Sequence, residues 1–160
     1  MVERGNLRCT SIALLSAWVV MAFGTSALLV LAGFAEAGAA PGLSGFLAAT
    51  WRATDDVGPA AKILLIAIFA ALVLAAERLV PARAGWRRYA VNIGLGATGM
   101  ALTLMLIPAA LSRGFGIGLT GARLDPSALP FYLAGGALGA VTFTYSAARC
   151  RGRVLRASGT

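Results

Sequence analysis

Four long apolar stretches, with almost every cationic side chain pushed between or beyond them, constrain this chain more than any single motif does. The chain has 160 residues, 59% of them hydrophobic, and a mean hydropathy of +0.81. A water-soluble globule of that size has too little interior to hide so much apolar surface. Lipid is the solvent that accommodates it. The expectation is an all-α, polytopic membrane protein, a single membrane domain over residues 1–160, with four crossings at about 11–35, 59–80, 89–112 and 128–148.

The first apolar run, Ser11 to Ala35, follows Arg4 and Arg8 and ends at Ala35-Glu36-Ala37, which has the A-x-A form of a signal-peptidase site. The run is longer than the ~7–15 residues of a signal h-region, so a retained transmembrane helix is expected. In the loop from Gly38 to Gly58, Leu43, Phe46, Leu47 and Trp51 recur at helical spacing, with Arg52 beside the tryptophan. That pattern predicts a short interfacial helix over about 43–52, with the indole at the water boundary.

The second stretch is the shortest. Residues 63–76 are free of charge, which makes about 21 Å of helix against a hydrocarbon layer of about 30 Å. It suffices if the helix begins at Pro59 and runs to Val80, with Lys62 reaching outward and Glu77 and Arg78 at the opposite interface. Pro81 fits its exit. In the third stretch, Pro108 is expected to bend the last turn. A connection with Gly114, Gly116, Gly118 and Gly121 follows, and Asp125 and Ser127 are candidate caps for the fourth.

Charge in the connections sets the orientation. The first loop holds Arg52 and Lys62 against Glu36, Asp55 and Asp56. The second holds Arg78, Arg83, Arg87 and Arg88 against Glu77, and the tail over 149–160 carries Arg149, Arg151, Arg153 and Arg156. Cytoplasmic segments carry the Lys/Arg excess, so four crossings with both termini cytoplasmic are expected. The net charge of +8 then points to anionic lipid headgroups as counter-ions and not to nucleic acid.

The chemistry-bearing residues are sparse. There is no histidine. Cys9 and Cys150 lie near opposite ends, make no C-x-x-C, and are expected to be two structural or incidental thiols kept reduced on the cytoplasmic side. Gly94-Leu95-Gly96-Ala97-Thr98-Gly99 matches G-x-G-x-x-G in letters, but it lies inside an apolar span with no strand before it. Close helix packing through Gly96 and Gly99 is the expectation. Gly135 and Gly139, in Gly135-Gly136-Ala137-Leu138-Gly139, read the same way. Asp55-Asp56 is expected to be a solvated turn before Gly58-Pro59. No base is present to activate a hydroxyl nucleophile, and the acids alone build no transition-metal site. No catalytic residue and no cofactor are expected.

The most informative constellation is Ala76-Glu77-Arg78-Leu79-Val80-Pro81-Ala82-Arg83, continued by Arg87-Arg88 to Asn92. Glu77 among arginines at a membrane interface forms an ion-pair cluster, and Asn92 is placed to hydrogen-bond between helices. This stretch resembles the N-terminal half of bacterial members of the sterol desaturase/fatty acid hydroxylase superfamily, in which a helix ends in an acid and a proline, a basic linker follows, and an asparagine opens the next span. The likeness extends weakly to the C-terminus. If the register holds there, Ala148, Gly152 and Gly159 occupy histidine positions of the family and Arg156 a tryptophan position. The resemblance implies a di-iron oxygenase scaffold, but the imidazoles that would hold its irons are missing.

The functional expectation is a non-catalytic subunit of a larger complex, a pseudoenzyme if the family likeness is one of descent, in the bacterial cytoplasmic membrane. Trp51, Arg149, Arg151, Arg153 and Arg156 are candidates for contact with lipid or partner. Glu77, Pro81, Arg83, Arg87, Arg88, Asn92, Gly96, Gly99, Gly135 and Gly139 are candidates for helix and subunit packing. The alternatives are a truncated di-iron lipid hydroxylase or desaturase, and a small transporter or channel. The spans are almost free of the buried charge that marks a transport pathway.

Overall fold

A computed structural model describes residues 2–38, 40–79, 85–106 and 127–158. These residues form helices and their connections, with no strand among them. The helices are α1 (Val2–Glu36), α2 (Leu43–Asp56), α3 (Pro59–Leu79), α4 (Trp86–Leu106) and α5 (Leu129–Ser158). Leu7–Glu36 of α1, Pro59–Arg78 of α3 and Trp86–Leu106 of α4 each contain an 18-residue stretch, of mean hydropathy 2.1, 2.4 and 1.4 respectively, and each is long and apolar enough to cross a membrane. Helices suit that solvent because every backbone group inside them is satisfied within the segment. The chain is an all-α membrane protein.

Local chemistry sets the helix limits. Gly58 takes φ +70°, a left-handed conformation open to glycine without strain. Its N–H donates to the Asp55 carbonyl at 3.1 Å, closing α2. Pro59 then opens α3 at a position where its missing N–H has no helical partner to lose. Asp55 and Asp56 are thus the last helical residues of α2 and not a solvated turn, and α2 runs four residues past the expected 52. Pro81 and Arg83, like Pro108, the glycine-rich connection and Asp125, lie outside the described residues.

Two helices extend beyond the expected spans. α1 begins at Val2 rather than near Ser11. α5 continues through the basic tail to Ser158. Nothing between Arg149 and Arg156 breaks a helix except the weak former Gly152, and arginine and leucine are good formers.

α5 is the pivot of the bundle. It lies antiparallel to α1, where Thr25 faces Gly135, Met21 faces Gly139, and Cys9 meets Cys150. It is also antiparallel to α4, where Gly96 faces Gly136 and Asn92 meets Thr144. The adjacent pair Gly135-Gly136 therefore bares backbone on two sides of one helix. A Cβ on Gly135 would collide with Thr25 Oγ1, and one on Gly139 would fall 3.0 Å from the Ala17 carbonyl oxygen and closer still to Met21. On the other side, a Cβ on Gly96 or on Gly136 would run into the other residue's carbonyl oxygen.

α3 packs on the outside of α4, with Phe69 and Leu72 beside Gly99. Its buried residues Leu65, Phe69 and Val73 recur every four positions, one stripe on a helix surface. Phe69 meets Phe143 of α5 edge to face, ring centroids 5.9 Å apart, the arrangement favoured by aromatic quadrupoles. Ala13, Ala17 and Met21 of α1 and Ala140, Phe143 and Ala147 of α5 complete the core. α2 rests on α1, where the Trp51 ring tilts against Phe23 at 5.6 Å. Leu43 and Leu47 of α2 are exposed, and Trp51 stays largely exposed beside Phe23.

These contacts generate a graded expectation. Gly96→Ala and Gly136→Ala should each destabilise the protein by about 1–3 kcal/mol through overpacking. A Cβ on Gly94 meets nothing, so Gly94→Ala should be neutral or stabilise by up to ~1 kcal/mol. Denaturant titration of the helical circular dichroism in mixed micelles measures the difference. Equal effects at Gly94 and Gly96 would contradict the packing.

Candidate functional site: the two ends of the bundle

At one end of the bundle the C-terminus of α3, the N-terminus of α4 and the C-terminal part of α5 converge on one carboxylate. Glu77 Oε1 accepts from Arg88 Nη2 at 2.8 Å and from Arg151 Nη2 at 3.3 Å, and all three side chains are about 30% exposed. Glu77 is held in place because Pro59–Leu79 is helical up to the connection and α4 returns at Trp86. Arg88 is the partner that the local sequence suggests, and Arg151, far along the chain, is the one it does not. Ion pairs as exposed as these are individually weak. Their structural effect is to fix the relative register of three helices.

One layer deeper, Asn92 Nδ2 donates to Thr144 Oγ1 at 2.8 Å, and Thr144 Oγ1 donates to the Ala140 carbonyl at 2.9 Å. Both side chains are buried. The hydroxyl thus accepts from α4 and donates within α5, which leaves its proton satisfied. Asn92 reaches across helices, and the partner is set by the antiparallel register of α4 and α5.

The same end carries a covalent tie. Cys9 of α1 and Cys150 of α5 form a disulfide, with Cα atoms 5.5 Å apart across 141 residues of sequence. This corrects the expectation of two reduced thiols. Sequence separation concealed the pairing, because it arises only when α1 and α5 lie side by side in opposite directions. Cys9 is 1% exposed.

The remaining expected residues are dispersed. Arg87 and Arg153 are exposed and project outward. Arg149 donates to the Tyr145 hydroxyl at 3.0 Å and lies over that ring at 5.9 Å. Arg156 is exposed near the end of α5. Ala148 is exposed, Gly152 has open space where a side chain would start, and Gly159 lies outside the described residues. Among the described residues no group of three or more His, Cys, Asp or Glu is placed to hold a metal ion.

At the opposite end lies a cavity of about 350 Å³ between α1, α2, α3, α4 and α5. Met21, Leu29, Leu65, Met100 and Leu104 form apolar walls, and Thr25, Ser26, Thr103 and Tyr132 also line it. Tyr132 is 3% exposed and its hydroxyl has no hydrogen-bond partner among the described residues. Beside the cavity, Trp18 Nε1 donates to the Lys62 carbonyl at 2.9 Å, tying α1 to the start of α3. Sequence reasoning missed this cavity because its walls read as ordinary apolar helix. The one available signal was Tyr132, a polar aromatic placed inside a span.

Comparison of the chain with protein-family profiles, with curated proteins and with solved structures gave no match.

Two measurements test the basic end. Thr144→Val leaves the buried Asn92 amide without its acceptor and should cost about 1–2 kcal/mol, and adding Asn92→Leu should recover part of that loss, so the pair is non-additive by ~0.5–1.5 kcal/mol. Simple additivity would show that the two side chains do not meet in the membrane. Second, a maleimide should label the unfolded chain only after a reductant is added. Quantitative labelling of the unreduced protein would refute the disulfide.

Proposed function

We propose that this chain is a non-catalytic integral membrane protein, a structural or assembly subunit of a larger membrane complex. The observation that carries this reading is the outer face of α4. Gly96 and Gly99 face inward on α5 and α3, but Ala90, Gly94 and Thr98 form a second stripe of small residues, exposed and one helical turn apart. Small residues let helix backbones approach and gain van der Waals contact that lipid chains do not supply. The chain uses that chemistry twice inside the bundle and repeats it on a face against which none of the described residues packs.

We place four helices across the membrane, α5 being the fourth, with both termini in the cytoplasm of a bacterial cell. α5 is less apolar than the other three because Gly135, Gly136, Gly139, Tyr132 and Thr144 face the bundle and its last turns carry Arg149, Arg151, Arg153 and Arg156. The disulfide, Glu77–Arg88 and Glu77–Arg151 gather the arginine-rich segments at one end, and the positive-inside asymmetry favours the cytoplasm for that end. Thiols there are normally kept reduced. The enclosure of Cys9 supports persistence of the bond, since thiol–disulfide exchange needs access to the sulfurs. Arg87, Arg149, Arg153 and Arg156 then face anionic headgroups.

We read the likeness to the sterol desaturase/fatty acid hydroxylase superfamily as one of scaffold. The Glu77–Arg88 pair and the inward Asn92 support a shared way of closing the basic end. Ala148 and Gly152 offer no metal donor, so no oxygenase step is assigned.

Isolation in mild detergent tests the proposal. The chain should co-purify with another membrane protein in fixed stoichiometry, and Gly94→Leu should release that partner while leaving the chain folded. A clean monomer from native membranes, or a partner indifferent to Gly94→Leu, would overturn it. In the same preparation, impermeant maleimide applied to reduced, intact cells should leave Cys150 unlabelled. Labelling there would put the basic end outside.

A further inference from the structure

We propose that the cavity at the end of the bundle away from Glu77 binds a neutral, bilayer-soluble molecule that carries a carbonyl oxygen on an apolar body. The size fits: about 350 Å³ lies within the range of small-molecule sites and is far larger than the space one water needs. The walls select for an apolar body, since Met21, Leu65, Met100 and Leu104 line the space and a cavity of that character is a poor host for water.

The polar atoms select for an acceptor. Thr25, Ser26 and Thr103 each donate to a carbonyl of their own helix, at 2.6, 3.0 and 2.7 Å. Their protons are spent. Tyr132 is the lining hydroxyl whose proton is buried with no acceptor among the described residues, and buried donors are rarely left so without a ligand or water to complete them. What the Tyr132 hydroxyl lacks among the described residues is therefore an acceptor, which a carbonyl oxygen supplies.

Charge argues for neutrality. Asp56 and Lys62, one of each sign, line the same cavity, so a charged headgroup attracted by one is repelled by the other. Acyl esters and quinones share the chemistry required, a neutral carbonyl on an apolar frame. The site is distinct from Ala148 and Gly152, which lie toward the other end of α5.

The test uses the full chain in lipid nanodiscs and two probes labelled with carbon-13 at the carbonyl, methyl decanoate and a methyl-substituted benzoquinone. Saturable binding of at least one probe is expected, with its carbonyl stretch moved to lower frequency by the Tyr132 hydrogen bond. Tyr132→Phe should weaken that binding about tenfold and abolish the shift. Its thermal midpoint should not fall, because a buried hydroxyl with no partner contributes no stability and costs its desolvation. Ala22→Phe, which narrows the cavity, should abolish binding.

Ester binding alone would point to acyl lipid as the source, quinone binding alone to a quinone, and either supports the proposal. If neither probe saturates, the proposal fails. It fails equally if Tyr132→Phe leaves affinity and carbonyl band unaltered, which would mean that Tyr132 is held by water alone.

Discussion

The close approach of bare backbone along α5 is the constraint on which the rest of this structure depends. Inside a bilayer, apolar side chains gain little by leaving lipid for protein, so helices associate through surface fit and hydrogen bonds. Gly135 and Gly139 admit Thr25 and Met21 of α1, while Gly136 admits Gly96 of α4. One helix thereby holds two neighbours at backbone distance. The α3 stripe of Leu65, Phe69 and Val73 then packs against what α4 and α5 present, with Phe69 on Phe143 as its anchor.

Polar contacts add register to that fit. Glu77 joins α3, α4 and α5 through Arg88 and Arg151, Asn92 joins α4 to α5 through Thr144, and the disulfide joins α1 to α5. Each lies toward the arginine-rich end. A sliding of α5 by one turn is incompatible with Glu77–Arg151, Asn92–Thr144 and Cys9–Cys150 together, so the glycine contacts and these polar contacts enforce the same arrangement. The other end is built differently: Thr25, Ser26 and Thr103 bond to their own helices, Tyr132 has no hydrogen-bond partner among the described residues, and a cavity opens beside them. A tied end and an open end divide the molecule into a part that specifies the bundle and a part free to take a ligand.

Much of the helical layout was legible in the sequence, because hydropathy and punctuation act locally. Pro59 and Gly58 mark the α2–α3 junction by their backbone chemistry alone, and Glu77 beside a run of arginines announces an ion pair. The spacing of Gly96, Gly99, Gly135 and Gly139 announces close packing without saying against what. The Cys9–Cys150 bond, the Arg151 arm of the ion pair and the Thr144 partner of Asn92 were not legible. All three depend on the antiparallel register of helices far apart in the chain, which local pattern does not encode. The cavity escaped for the converse reason: it is a shortage of atoms, and a sequence records only those present.

The most direct measurement is solid-state nuclear magnetic resonance of the protein in bilayers, with methionine and glycine labelled with carbon-13. If α5 is wedged between α1 and α4, through-space cross-peaks join the Met21 side chain to Gly139 and the Met100 side chain to Gly136. Loss of the first in Met21→Leu and of the second in Met100→Leu assigns them. Spectra in which methionines contact only lipid, or only residues of their own helix, would contradict the account.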